Sequence, residues 1–326
     1  MTAPRTRSPA ADAIPEALIE RFSRSLARLW TGGGRLGLAV SGGPDSLAML
    51  LLAEAAIPGR FEVATVDHGL RAEAADECAM VAQVCAERDI PCEVLRVTVA
   101  GGNIQAAARE ARYRALAGWA DRRGLSAIAT AHHADDQAET LLMRLNRGSG
   151  VGGLAGVREV GTIADSAIPL IRLLLEFRRR ELESVVEAAG LVAAQDPSNL
   201  DDRYDRVRLR KALAEADWLD VPALARSAGN LADAEEALAW ATDREWVERV
   251  SASPDDLRYL PSNPPRAIAL RVAARAVGVI GGQPRGGDLA RLVERLEAGG
   301  SGNLAGVLVT VENGQWVFRP EPPRRV

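Results

Sequence analysis

Apolar positions along this chain follow two periods, and their alternation sets the architecture. "PEALIERFSRSLARLW" (15–30) carries apolar residues at helical spacing and stops at Gly32-Gly33-Gly34. Short apolar runs then alternate with longer helical stretches. "RLGLAV" (35–40) predicts a strand and "DSLAMLLLAEAA" (45–56) a helix, and "FEVATVDHG" (61–69) is a strand before the helix "RAEAADECAMVAQVCAERD" (71–89). "CEVLRVTV" (92–99) and "SAIATAHH" (126–133) repeat the strand pattern, each ahead of a helix, "NIQAAAREARYRALAGWADRRG" (103–124) and "ADDQAETLLMRLN" (134–146). "AIPLIRLL" (167–174) adds a fifth strand before "RRRELESVVEAAG" (178–190). Such alternation specifies βαβ units, hence an α/β fold with a doubly wound parallel sheet covered on both faces. Ligands of these sheets bind at the carboxyl ends of the strands. Those ends are "SGGPDS" (41–46), "VDHGLR" (66–71), the region before Asn103 and "AHHADDQAET" (131–140).

The pattern changes near Asp196. "DPSNLDDRYDRVRLRKALAEA" (196–216) is charged and arginine-rich and leads into helical stretches up to about Val250. "SASPDDLRYLPSNPPRAIAL" (251–270) holds a Pro-rich break, and two helical patterns follow. Asn313-Gly314 between alternating runs is a hairpin signal. The expected organisation is a loose tail over 1–14, an α/β domain over 15–210, a helical region over 211–252 and a small α+β module over 253–326.

Composition narrows the chemistry. With 47% hydrophobic and 26% charged residues, the chain reads as a water-soluble protein. It has no apolar run near the ~18 residues of a membrane span. The N-terminal stretch has no apolar core of a secretory signal, so the cytoplasm is the default compartment. Cys78, Cys85 and Cys92 have no CxxC spacing and read as small buried hydrophobes. A net charge of −4 leaves nucleic-acid contact to local patches. Of 40 basic residues only Lys211 is a lysine, and no Gly-Lys-Ser/Thr loop exists, which excludes a Walker A site. All three histidines, His68, His132 and His133, fall directly after expected strands.

In "SGGPDS" the glycines let backbone approach an anion, and the next helix offers free N–H groups and a positive dipole end. Ser41 and Ser46 add hydroxyls, and Asp45 suits a Mg²⁺ that holds phosphate. The loop resembles the pyrophosphate loop of the N-type ATP pyrophosphatases, which cleave ATP to AMP and pyrophosphate. Asp67 and His68 at the second strand end then face nucleotide or acceptor base; the plainer reading makes Asp67 a cap and His68 merely exposed. Arg109, Arg112 and Tyr113 share a helical turn, as a solvated face would show, or as an adenylated anion needs. Asp136 and Glu139 lie on one helical face, with His132, His133 and Asp135 beside them. Their spacing is not that of a zinc site, which leaves Mg²⁺ or an ammonium-bearing substrate. "RGSGVGGLAG" (147–156) reads as a mobile loop able to close over the site, or as linker.

"VDHGLR", "HHADDQAETLLMRLNRGSG…GLAG", "IRLLLEFRRREL" and "DPSN…Y.R…R" occur here in the order found in the tRNA(Ile)-lysidine synthetases, and the chain is similar to them over nearly all its length. It departs at Arg172-Leu173-Leu174-Leu175, where the family usually has Arg-Pro-Leu-Leu, and at Arg206-Val207, usually Arg-Asn. The first departure is expected to alter only a turn. The second leaves open which of Arg206, Arg208 and Arg210 matches the family's essential arginine.

The resemblance implies ligation of free L-lysine to C2 of the wobble cytidine in the isoleucine tRNA with anticodon CAU, through an adenylated cytidine, with ATP and Mg²⁺. It implies that Ser41, Gly42, Gly43, Pro44, Asp45 and Ser46, with Asp67 and His68, bind ATP, and that Asp45 holds the metal. Arg109, Arg112, His132, Asp135, Asp136 and Glu139 then bind substrate. Asp45, His133, Asp136, Glu139, Arg206 and Arg208 carry catalysis, with His133 taking the amine's proton. Arginines of 178–180 and 203–211 supply surface for tRNA, no membrane is involved, and a homodimer is compatible with the pattern. The rivals are a tRNA 2-thiolation enzyme, for which the cysteines lack a motif, a small-molecule amide ligase, and a non-catalytic nucleotide or RNA binder.

Overall fold

Leu36–Ala39 (β1) is an apolar run flanked by parallel partners on both edges, so its position defines the centre of the molecule's first sheet. The computed structural model describes residues 13–69, 73–98, 104–194, 203, 205–284 and 286–322. Residues 1–12 of the expected tail, Leu70 and Arg71, Asn103, and the Asp196–Asn199 motif lie outside them. The chain divides into two compact units, residues 1–232 and 233–326.

In the first unit, helix α1 (Glu16–Leu29) precedes β1, and α2 (Pro44–Ala56), β2 (Phe61–Asp67), α3 (Glu73–Ala86), β3 (Cys92–Arg96), α4 (Ile104–Arg123), β4 (Ala127–Ala129) and α5 (Ala134–Leu145) follow in alternation. A one-turn helix α6 (Val151–Leu154) leads to β5 (Val160–Thr162), β6 (Pro169–Ile171), α7 (Arg179–Ala188) and α8 (Asp205–Glu215). The strand order is β3-β2-β1-β4-β6-β5. All pairings are parallel except β5 with β6. The doubly wound α/β expectation holds, with one antiparallel strand added at the edge. β5 is three residues long with an exposed Val160, too short and polar to show a period of two.

Alternate residues feed separate cores on the two faces. Ala127 and Ala129 join Leu36, Leu38 and Val63 in the cluster that α1, α2 and α7 cover, whereas Ile128 and Ala64 join Leu116 and Trp119 of α4. Helix α2 is buried nearly all round, from Ser46 to Ala55, as its uninterrupted apolar run requires. Sequence order reverses across β1 and β4, which makes the gap beyond their carboxyl ends the switch point where such sheets bind ligands.

Helix α9 (Val221–Arg249) contains the border between the units, so the helical stretch expected over 211–252 contributes to both. The second unit holds α10 (Arg266–Ile280), α11 (Gly286–Glu297) and an antiparallel sheet of β7 (Val250–Ala252), β8 (Leu257–Tyr259), β9 (Gly302–Leu304), β10 (Val307–Glu312) and β11 (Gln315–Pro320), in the order β7-β8-β11-β10-β9. Asn313 and Gly314 both take positive φ, 50° and 79°, as the two-residue turn joining β10 to β11 demands. β8 lies inside the expected Pro-rich break and β7 overlaps its start: each has three residues, below the length at which alternation is visible. Among the described residues no helix is long and apolar enough to cross a membrane.

Gly37 lets α4 approach the central strand. A Cβ there would meet Trp119 Cζ3 at 2.7 Å and Leu125 Cδ1 at 3.0 Å. Gly37→Ala is therefore expected to destabilise the first unit by about 1–3 kcal/mol through overpacking. Combining it with Trp119→Leu should recover part of that loss in denaturant melts; additive losses would refute the contact.

Candidate active site

Loop 41–46 leaves β1 and enters α2 through a turn organised by one hydroxyl. Ser46 is 5% exposed; its Oγ donates to the Gly43 carbonyl (2.9 Å) and accepts from the Ser41 N–H (3.1 Å). Ser46 therefore ties the loop together. Ser41 Oγ is 3.3 Å from it. Gly42 has φ +88°, its carbonyl accepts from Ala194 N–H, and a Cβ would touch Met80, so only glycine fits without strain. Gly43 is the extended residue ahead of α2, Pro44 opens the helix, and the first-turn N–H groups, including those of Asp45 and Ser46, have no intrahelical acceptor. Loop and helix end thus form an anion cradle. Asp45 stands in the same turn, and among the described residues its buried Oδ1 has no hydrogen-bond partner.

The second side is built by α5. His133 precedes the helix, and its N–H donates to Asp136 Oδ2 (3.2 Å). Its ring is fully buried, with Nε2 3.5 Å from both Asp45 and Asp136 and Nδ1 3.7 Å from Asp135. Burial opposes charge on the ring, but these carboxylates outweigh it and raise its pKa to about 9. The ring is thus a cation among carboxylates at neutral pH, and Arg179 Nη2 also stands 3.5 Å from Nε2. The role expected of Asp135 is corrected. It accepts from Arg178 Nε and Nη2 (3.2 Å each) and from Arg179 N–H (2.8 Å), fixing the start of α7 rather than facing a substrate. Against its burial, His133 and Arg178 hold it well below the usual carboxylate range.

Helix α8 sorts the three candidate arginines by phase. Arg206 reaches Glu139 through Nε and Asp136 through Nη2, both at 2.6 Å, and Arg210, one turn on, binds Glu139 at 2.8 Å. Glu139 is 1% exposed and held on both oxygens. Arg208 points away, exposed and paired with Asp205, so the expected place for it in the site is corrected and Arg210 stands there instead. The replacement of the family's asparagine by Val207 puts an apolar side chain into the interior between them.

A cavity of about 500 Å³ opens beside the loop. Ser41, Gly43, Pro44, Asp45 and Ser46 line it from β1 and α2, His68 from the end of β2, Arg112 from α4, and His132, Asp136 and Arg206 from the other side. His132 Nδ1 lies 3.1 Å from Thr130 Oγ1; burial, opposed by Asp136 and reinforced by Arg172, Arg109 and Arg112, lowers its pKa to about 4, so the ring is neutral. Asp67 is not among the lining residues. Its Oδ1 accepts from Gly69 N–H, the turn contact that is the plainer of its two readings. Arg109 is exposed and stacks on Tyr113, as does Arg112.

Two features escaped the sequence reading. Gln137 pairs both amide atoms with the backbone of Val157 (2.6 and 2.8 Å), and Arg144 donates to the Gly153 carbonyl, so "RGSGVGGLAG" is a pinned segment containing α6 rather than a loose loop. Gly156, at φ +65°, leaves room for the Gln137 amide. Arg178, read as tRNA surface, is instead the partner of Asp135. No spacing rule flags either residue, because both partners are remote in sequence.

Residues 16–217 match the family model of the PP-loop domain. The U34-tRNA thiolase NcsA from Methanococcus maripaludis shares the fold, with a TM-score of 0.55 at 15% identity over 67% of this chain and 80% of its own. Among curated proteins, the tRNA(Ile)-lysidine synthase of Novosphingobium aromaticivorans is 50% identical over 90% of both chains. That of Zymomonas mobilis is 41% identical over 90% of both, and that of Methylobacterium nodulans 41% identical over 94% of this chain and 96% of its own. With half its residues shared across nine-tenths of a relative's length, and a PP-loop domain over residues 16–217, the chain belongs to the tRNA(Ile)-lysidine synthase family.

Proposed function

We propose that this chain is a carbon–nitrogen ligase that joins free L-lysine to C2 of the wobble cytidine in the isoleucine tRNA with anticodon CAU, at the expense of ATP. The reading rests on one apposition: an anion cradle at 41–46 faces the Asp136–Glu139 pair, with the His133 ring between Asp45 and Asp136. In the first step O2 of the cytosine attacks the α-phosphorus of ATP and pyrophosphate leaves. In the second the lysine ε-amine attacks C2 and AMP leaves. The 2-thiolation rival draws no support from the cysteines, since of the three only Cys78 lines the cavity.

Each group then has a task set by its surroundings. The N–H groups at the start of α2, with Ser41, bind the departing pyrophosphate. Asp45 is the group that would hold Mg²⁺. Among the described residues no three His, Cys, Asp or Glu side chains gather into a metal site, but Mg²⁺ is commonly bound by one or two carboxylates plus substrate phosphates, and the unpartnered Asp45 Oδ1 fits that demand. When bound, the ion neutralises charge on the phosphates. Asp136 and Glu139 attract the ammonium of lysine, whose usual pKa of ~10.4 keeps it protonated, and accept the proton it must lose to attack. Arg206 and Arg210 stabilise negative charge on the leaving groups, and His133, held as a cation, fixes the carboxylates around it. His68, His132, Arg112 and Arg109 face nucleotide and base.

Incubation of the purified chain with ATP, labelled lysine and the CAU isoleucine tRNA should transfer label to RNA and release AMP and pyrophosphate. A methionine tRNA should take none. Label in both tRNAs, or release of ADP, would refute the reading. Asp136→Asn and Glu139→Gln are each expected to slow lysine transfer by about 10²–10⁴-fold, and to leave ATP binding within about twofold. Near-normal transfer by folded variants would remove these carboxylates from the mechanism.

The His133 ring also predicts a stability profile. Its folded pKa of about 9 lies above the ordinary 6.5, so its contribution is complete below about pH 6.5 and is lost as pH rises through 9. Melting temperatures of the native chain should therefore fall between about pH 7 and 10, relative to those of His133→Gln. Parallel curves for the two proteins would contradict a charged ring.

A further inference from the structure

No residue of α1 lines the cavity, yet one side chain of this helix grips the turn that begins α7. Arg21 Nη1 and Nη2 form a fork on Glu181 Oε2 and Oε1, at 3.0 and 2.9 Å. Nη1 also donates to the Glu176 carbonyl (3.2 Å), and the guanidinium lies 4.7 Å from the centre of the Phe177 ring. Arg28, two turns further along the same face of α1, reaches Glu176 at 3.5 Å, but it is about half exposed and contributes little. Arg21 and Glu181 are each mostly covered, and a fork on a carboxylate is the stronger geometry.

The turn needs such an anchor. Arg178 occupies the N-cap of α7, where Ser, Thr, Asp or Asn would tie the first turn through a side-chain oxygen. Arginine has no acceptor, and no side-chain cap bond forms. Instead Glu181 Oε2 reaches back to the Arg178 N–H (2.8 Å), and the same oxygen takes Arg21 Nη1. Residues 177–179 then fix the start of α5. The Phe177 carbonyl accepts from Ala134 N–H (2.9 Å), the Arg178 side chain holds Asp135 at 3.2 Å, and Arg179 N–H holds it at 2.8 Å. Asp135 faces His133 Nδ1, whose ring stands between Asp45 and Asp136. We propose that Arg21 is a positioning residue for the ligase reaction: through Glu181 and Arg178 it sets where Asp135 holds the His133 ring, and hence the spacing of Asp45 and Asp136. This inference rests on the reading of the chain as a lysine ligase and adds a residue of α1 to its machinery.

All three histidines belong to the site, so their ring signals in NMR spectra report on it alone. Arg21→Met keeps an apolar stem over Phe177 and removes the fork. It should displace the ring signals of His133, assigned with His133→Gln, and leave those of His68 in place. Lysine transfer to the CAU isoleucine tRNA should fall about 10-fold in kcat, the lower end of what the partner of a site residue typically contributes. KM for ATP and for lysine should stay within about twofold. Arg21→Lys, which keeps the charge without the fork, should recover part of the rate. Arg24→Met, exposed on the next turn of α1, should change none of these readouts. Arg21→Met combined with Glu181→Gln should cost no more than the larger single change, as one shared contact requires. Unmoved His133 signals with native kcat would overturn the role, and so would a fall in transfer that only follows the folded fraction in melts. If Arg21→Met does not fold, Glu181→Gln decides by the same readouts. Absence of lysine transfer by the native chain would refute the ligase reading, while the His133 signals still report whether Arg21 sets the ring.

Discussion

The first unit depends on neutralising negative charge in a small buried space. Asp45, Asp135 and Asp136 each lie within 3.7 Å of the His133 ring, and Glu139, one turn beyond Asp136, is almost wholly buried. Carboxylates this close cannot all remain ionised unless cations balance them. His133, Arg178, Arg206 and Arg210 supply that balance from different segments of chain. The phosphate loop, α5, the start of α7 and α8 are therefore held by one electrostatic condition. Removing a single partner would strand a charge in the interior, which typically costs about 3–5 kcal/mol.

The topology explains why this condition arises where it does. Reversal of strand order at β1 and β4 leaves an opening beyond their ends, and two helix N-termini, those of α2 and α5, converge on it. Positive helix ends and acidic side chains in the first turns suit each other. Asp45, Asp135 and Asp136 occupy such first-turn positions. The same ends that stabilise these acids also leave first-turn N–H groups beside them, so cationic and anionic groups meet at one cavity. A sheet with its helices in simple succession would separate the two.

What the sequence discloses follows from the range of the interaction. The βαβ alternation, the loop 41–46 and the common face of Asp136 and Glu139 are local patterns, each confined to one helix or one turn, and all appear in the structure. Pairings between remote segments leave no such trace. Arg178 meets Asp135 across 43 positions and Gln137 meets Val157 across 20, separations at which no helical or strand period connects the partners. Ser46 shows a subtler limit: its presence in the loop was legible, but whether its hydroxyl serves ligand or backbone depends on atomic positions. The three-residue strands β5, β7 and β8 are stabilised by neighbours rather than by their own periodicity.

The arginines of α8 connect charge balance to turnover. Arg206 spans Asp136 and Glu139, so a cationic ligand of these acids meets sites already occupied by a guanidinium. Glu139 keeps Arg210 if Arg206 moves, whereas Asp136 then retains only the His133 contact. Asp136 is thus the less fully neutralised of the two acids, and Arg206, almost half exposed, is the less confined of the two guanidiniums. Exchange of one cation for another keeps the buried charge constant throughout. In the proposed reaction, arrival of the amine at Asp136 and release of Arg206 would be two halves of a single displacement.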